Sequence, residues 1–558
     1  MSDHTTPTQE VLERATALGQ QFMQRQNQAK LPEQQVQNYL LNLYQLWFGW
    51  FDAVSESLSK SVLDQGEAGD TDKRFTHHAW RKDPRFNTLQ RSYRSYSHFM
   101  LRAVDVAPLP HHHKGQLRFA IRQVVDALSP ANFLVTNPEA IQLALETRGE
   151  SISKGVELFF RDALKGRITM SDENAFEVGK NIAATEGAVV YENELMQLIQ
   201  YRPLTARVAR RPLLMIPPCI NKFYILDLQA DNSLVRYALE QGQTVFMLSW
   251  RNITPELAHS TWDDYLQKGI LQAIEVARDI GATDKINALG FCIGGAMLSS
   301  AAAILRALDE DRLASLTLLT TMLDYSDTGE IGFMVNERSV RAREQGIGRG
   351  GVMSGKELAL TFSSLRANDL IWPYVVNGYL KGHAPEAFDL LYWNADATNL
   401  PGPMFAWYMR NTYLENNLRK PGKTIQCGQP VDLGQITAPV YLFASREDHL
   451  VPWRTCYEST RILNSPTTFV LGASGHIAGV INAPAKKKRN FWVDGQAGET
   501  AEGWLASARS EDGSWWPHWA AWLKKESGSM VAARTTLGNR LYPVIEPAPG
   551  RYVRERQE

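Results

Sequence analysis

Cysteine is scarce in this chain. The 558 residues include four, Cys219, Cys292, Cys427 and Cys456, spread far apart and in no metal-ligand spacing. The pattern offers neither a disulfide framework nor a structural metal cluster, and it suits a reducing cytoplasm. An excess of one charge is also missing. With 59 basic against 60 acidic residues, the chain lacks the electrostatic footprint of a nucleic-acid binder. The N-terminus is polar and Gln-rich, with no basic-then-apolar signal. No uninterrupted apolar run is long enough to span a bilayer. The nearest stretch, 34–51, is broken by Gln and Asn residues that each need a partner inside lipid, so no transmembrane segment is expected. It reads instead as an amphipathic helix with Leu40, Leu43, Trp47, Trp50 and Phe51 on one face, packed on the protein's own core or lying at an interface.

What is present is an ordinary globular composition on a chain too long for one simple domain. Fifteen tryptophans are many, and they point to dense core packing or an unusual apolar surface. Residues 1–180 read as a mainly helical N-terminal domain, with aromatic and Arg-rich segments from Phe75 onward. Within it His111-His112-His113, after Pro108 and Pro110, reads as a loop; no second ligand cluster accompanies it, so metal is not expected. From about 181 short apolar runs alternate with helical ones, the signature of a parallel α/β sheet. The alternation stops over about 325–436, rich in Gly, Asn, Trp and Tyr, and resumes at Pro439. An insertion there reads as a cap over a site or as packing between subunits.

The chemistry centres on Gly290-Phe291-Cys292-Ile293-Gly294-Gly295, with a strand-like run before it and an Ala- and Leu-rich run after it. Strand, sharp turn and helix make this a nucleophile elbow with cysteine as nucleophile. Side chains at Gly290 or Gly294 would collide with the neighbouring strand or helix. Downstream, Asp448 and His476 each follow a strand, which gives the chain order nucleophile, acid, histidine of an α/β-hydrolase fold. A free thiol is only a few per cent ionised at neutral pH, so Cys292 needs His476 to take its proton or pair with it. Asp448 would fix the imidazole tautomer or help deprotonate an incoming hydroxyl. An oxyanion hole needs two donors: the backbone N–H of Ile293, and one from the loop 217–222, where Ile220 is the best candidate. Asn221 on that loop and His449 beside Asp448 are given supporting roles. Asp324 is a fallback acid, and Lys486 to Arg489 either touch substrate phosphates or form a solvated run.

At these residues the chain resembles the polyhydroxyalkanoate synthases, specifically the single-subunit, class I-like group. The matching stretches are Pro217 to Asp227, the Cys292 elbow, Asn394 to Pro403, Ser445 to Trp453, Gly472 to Asn482 and Ile545 to Tyr552. The resemblance covers most of the chain after about residue 75, and residues 1–60 match least. Ala478 stands where the medium-chain class carries glutamine, and Ala296 where many members have threonine. The resemblance implies an α/β-hydrolase fold with a cap insertion, preceded by a mainly helical domain. It implies a catalytic set of Cys292, Asp448 and His476 that polymerises (R)-3-hydroxyacyl-CoA, mainly the 3-hydroxybutyryl thioester. Coenzyme A is then the leaving group, and neither cofactor nor metal is needed. It further implies a cytoplasmic homodimer on polyester granules, with small coat proteins nearby and the N-terminal domain making granule, partner or dimer contacts. Two other functions fit the same residues: a thioesterase or polyester depolymerase, and a non-catalytic granule-coat protein.

Overall fold

The computed structural model describes residues 72–556, so the 34–51 segment lies outside the described residues. By compactness the chain divides between residues 142 and 143. The first unit is helical. Its helices α1 (Pro84–Val106) and α2 (His111–Ala127) close on a small core of Phe75, Trp80, Tyr93 and Val125. Arg74 ties this core together, donating to Asp72, Tyr93 and Asp126. The three histidines open α2 rather than forming a loop. Pro108 and Pro110 stop α1, and α2 starts directly after Pro110. Among the described residues no group of His, Cys, Asp or Glu is arranged to hold a metal. No described helix is long and apolar enough to cross a membrane.

The second unit begins ahead of the sheet. Helix α3 (Glu150–Lys165) belongs to it by compactness, whereas the sequence reading drew its line near residue 180. Gly155 lets α3 approach closely, because a Cβ there would meet the backbone carbonyl of Tyr379.

The sheet strands, in chain order, are β1 (Gly187–Glu192), β2 (Met196–Tyr201), β3 (Leu213–Ile216), β4 (Val245–Trp250), β5 (Ile286–Phe291), β6 (Leu313–Leu319), β7 (Val440–Ser445), β8 (Thr467–Gly472), β9 (Asn490–Val493), β10 (Arg509–Asp512) and β11 (Glu546–Pro547). They lie in the order β10-β9-β8-β7-β6-β5-β3-β4-β2-β1-β11. From β4 through β3, β5, β6 and β7 to β8 every pairing is parallel; β1, β2, β9, β10 and β11 add antiparallel margins. Alternate residues feed two separate cores. Leu214, Ile216, Leu316 and Leu442 face one, and Leu213, Met215, Leu319 and Tyr441 face the other. A sheet covered on both sides explains why its central strands read as unbroken apolar runs.

With the nucleophile turn after β5 and the acid and histidine after β7 and β8, this is the α/β-hydrolase fold. Between β6 and β7 the insertion forms mainly helices, with two short two-stranded pairings, Val352–Met353 with Leu400–Pro401 and Ile425–Gln426 with Gln429–Pro430, outside the main sheet. It is fastened to the body by stacked rings: Trp262 lies 4.5 Å from Trp407 and 5.7 Å from Tyr408, centroid to centroid. The C-terminal tryptophans went inward. Trp515, Trp516 and Trp519 are fully buried, Trp515 stacks on Phe443 at 4.3 Å, and Trp519 donates to Thr317.

Candidate active site

The elbow is built by close backbone approach. Cys292 sits at φ 55° and ψ −125°, a conformation that costs a non-glycine residue strain, directly before helix α4 (Ile293–Ala307). A Cβ on Gly290 would come within 2.5 Å of the Gly295 backbone. One on Gly294 would lie 2.6 Å from the carbonyls of both Ile216 and Pro217. Both glycines are therefore required, as the sequence pattern anticipates, and Gly294 also seats the loop 217–222 against the elbow. The Cys292 N–H donates to the Leu319 carbonyl and its carbonyl accepts from Thr321, so the turn is fixed to β6.

Asp448, at the turn after β7, is buried, and its carboxylate is fully used. Oδ1 accepts from the N–H groups of Leu450 and Val451 at 2.8 and 2.9 Å. Oδ2 lies 2.6 Å from His476 Nδ1. His476 opens a short helix (His476–Val480) whose Gly479 and Val480 carbonyls accept from the Trp515 and Trp516 indoles. Its ring lies over Phe291, 5.6 Å between centroids. With Nδ1 occupied, the other nitrogen is left for Cys292, whose sulfur lies close enough to act on the ring's charge. Burial works against a charge on this ring. The Asp448 carboxylate and the Cys292 sulfur outweigh it and raise the histidine pKa to about 10. The structure thus brings Cys292, His476 and Asp448 into one connected line.

The supporting residues divide. Ile293 begins α4, so its N–H has no partner within the helix. Ile220 lies half-buried on the loop against the elbow. Asn221, at φ 65°, points away toward the cap: its N–H donates to Thr398, and its amide donates to the carbonyls of Trp393 and Asn394. His449 is half-buried with Nδ1 unpartnered. Burial drives its pKa down to about 4, against the opposing pull of Asp448, so its imidazole is neutral beside a charged one. Asp324 is engaged elsewhere, accepting from Asn416 and Arg419. Lys486, Lys487 and Lys488 are exposed.

Sequence reasoning missed the cap's contribution. Tyr408 and Tyr413 are five residues apart, and the π-helical turn Arg410–Leu414 brings their rings to 5.6 Å, beside Tyr325. Burial, with Cys292 close by, raises the pKa of all three phenols and keeps them protonated. Only a spacing of five, unusual for a helix, hinted at this. Thr398 was likewise unremarked inside the stretch Asn394 to Pro403. Two cavities of about 750 and 930 Å³ open between α3 and the cap, around Tyr379; none of the three catalytic candidates lines either.

Residues 71–238 match the family model described as Poly-beta-hydroxybutyrate polymerase (PhaC) N-terminus, and residues 212–483 match the alpha/beta hydrolase fold. A poly(3-hydroxyalkanoate) polymerase subunit PhaC from Cupriavidus necator is 53% identical over 490 residues, covering 87% of this chain and 83% of that protein. The corresponding subunit from Rhizobium meliloti is 38% identical over 518 residues, covering 91% and 84%. Among solved structures, a Paleococcus ferrophilus monoacylglycerol lipase aligns with a TM-score of 0.33 at 16% identity, over 51% of this chain and 91% of the lipase.

Proposed function

The chain belongs to the poly(3-hydroxyalkanoate) polymerase family and is an acyltransferase, and from that premise we propose that it polymerises (R)-3-hydroxyacyl-CoA through a covalent Cys292 acyl-enzyme. The 3-hydroxybutyryl thioester is its main substrate. One observation carries this reading: a sulfur on a strained elbow lies beside an imidazole whose Nδ1 is held by a buried carboxylate.

The steps follow from those positions. The Cys292 thiolate, paired with His476 imidazolium, attacks the thioester carbonyl carbon. The N–H groups of Ile293 and Ile220 bind the oxyanion as it forms. The C–S bond to coenzyme A breaks, and coenzyme A leaves with the proton held by His476. Exchange of one thioester for another is nearly isoenergetic, which suits cysteine to repeated transfer. The 3-hydroxyl of the next unit then gives its proton to His476, oriented by Asp448. Its oxygen attacks the acyl-enzyme, an ester C–O bond forms and the Cys292 C–S bond breaks. The chemistry asks for no cofactor.

Water would end the chain by hydrolysis, so the ring-lined cap over Cys292 serves to keep it out. The product is insoluble, and in this reading the enzyme works in the cytoplasm at the surface of its own granules, as a dimer beside small coat proteins.

Incubation with (R)-3-hydroxybutyryl-CoA tests the reading. Insoluble polyester with stoichiometric CoA release is expected, and Cys292→Ala should yield neither. Free hydroxyacid without polymer would assign a thioesterase instead. Polymer formation undiminished in Cys292→Ala would leave the elbow without a catalytic role.

A further inference from the structure

Three residues in a row on the loop after β3 stand in different situations. The Cys219 carbonyl accepts a hydrogen bond from Thr398 Oγ1 at 2.9 Å. The Asn221 N–H donates to the same oxygen at 2.8 Å. Between them lies Ile220. A single cap hydroxyl, buried with its residue only 4% exposed, thus brackets the one residue of this loop assigned to the oxyanion hole.

The covalent geometry makes the bracket directional. The Cys219 carbonyl and the Ile220 N–H belong to one planar trans peptide, so they point in opposite directions. Fixing the carbonyl onto Thr398 therefore aims the Ile220 N–H away from the cap threonine. The hydroxyl's one proton is spent on Cys219 and one lone pair on Asn221, so it has no second donor with which to reorient. The rest of the loop is equally constrained. The Pro217 carbonyl accepts from the Trp250 indole at 3.2 Å, the Lys222 carbonyl accepts from the Trp393 indole at 2.7 Å, and Gly294 of the elbow abuts Pro217. The positive φ of Asn221 is held in place by these contacts.

We propose that Thr398 is a positioning residue that orients the Ile220 peptide as the second oxyanion donor. It touches no reacting atom and acts through that peptide. This rests on the acyl-enzyme reading above, and it explains why a cap segment far from the elbow in sequence bears on acyl transfer.

Thr398→Val removes both hydrogen bonds at constant volume, and Thr398→Ser keeps them. Three quantities separate positioning from mere structure: single-turnover CoA release from (R)-3-hydroxybutyryl-CoA, the rate of Cys292 alkylation by iodoacetamide, and Tm. Alkylation develops no oxyanion. With T398V, acylation should slow by about 10–100-fold, somewhat less than outright loss of a donor, while KM stays within about two-fold and alkylation is unchanged. T398S should restore acylation to within about three-fold of wild type. Wild-type acylation by T398V, equal slowing of acylation and alkylation, or a T398S as slow as T398V would each overturn the proposal. A wild-type protein that releases no CoA would overturn the acyl-enzyme reading itself, and this proposal with it.

Discussion

At the scale of single residues, Asp448 shows how a carboxylate's hydrogen bonds dictate a neighbour's protonation. One oxygen is committed to two backbone donors and the other to His476 Nδ1. Asp448→Asn cannot satisfy both sides. If its amide oxygen takes the backbone N–H groups, its NH2 faces Nδ1, which must then accept, and the ring's proton moves to the nitrogen that should receive one. The expected loss in kcat is about 10³–10⁴-fold with Tm little changed, and steady-state CoA release measures it. His476 also makes stability pH-dependent. Its folded pKa of about 10 lies above the ordinary 6.5, because Asp448 and Cys292 outweigh burial. The protonated ring's contribution is therefore fully present below about pH 6.5, declines above it, and is lost as pH rises through about 10. The Tm advantage of wild type over His476→Gln should shrink across that window. A constant difference from pH 6 to 10 would contradict the pairing.

At the scale of elements, the elbow converts glycine into activity. A Cβ at Gly294 meets two backbone carbonyls, which cannot swing aside as a flexible side chain would. Gly294→Ala should cost about 1–3 kcal/mol in the urea transition and slow acylation, because the displaced neighbours are the end of β3 and the loop proposed to supply an oxyanion donor. Sequence made this element legible. The strand Ile286–Phe291 is a short apolar run that ends in a Gly-rich turn, and buried parallel strands elsewhere carry the same mark. Asp448 and His476 were legible for the same reason, each standing just past such a run. Other elements were hidden because non-local forces shape them. The histidines of α2 carry no helix-start signal beyond Pro110. The Tyr408–Tyr413 pair depends on a π turn that no 3.6-residue periodicity reveals. The abundance of tryptophan left core packing and an apolar surface both open; the indole N–H groups of Trp515, Trp516 and Trp519 find buried acceptors on Gly479, Val480 and Thr317. Thr398 is one hydroxyl in a polar stretch, and only the fold brings it to Cys219.

At the scale of the whole catalytic unit, the cap is an insertion whose entry is clasped to its later segment 416–419. Asp324, at its entry, is buried and accepts from Asn416 and from Arg419, at 2.7 and 2.5 Å. The Tyr325 N–H donates to Asn416 in the same place. Entry and later segment are thus fixed to each other beside the Tyr325, Tyr408 and Tyr413 rings, which lie close to Cys292. Arg419→Ala would leave a buried carboxylate with a neutral partner only, at a cost of about 1–3 kcal/mol. Its chemical consequence follows from competition for the acyl-enzyme. In the mechanism proposed above, a hydroxyl of a second unit extends the chain whereas water ends it, and the clasp is expected to set how often water reaches the thioester. Arg419→Ala should therefore raise the ratio of free 3-hydroxybutyrate to polymer by about 3–10-fold while CoA release changes little, since acylation does not depend on excluding water. Arg419→Lys, which retains a cation for Asp324, should fall between the two. Chromatography of soluble acid against precipitated polyester at equal CoA release provides the measurement. If the ratio stays at its wild-type value while Tm falls, the clasp serves stability alone and the exclusion of water lies with the rings.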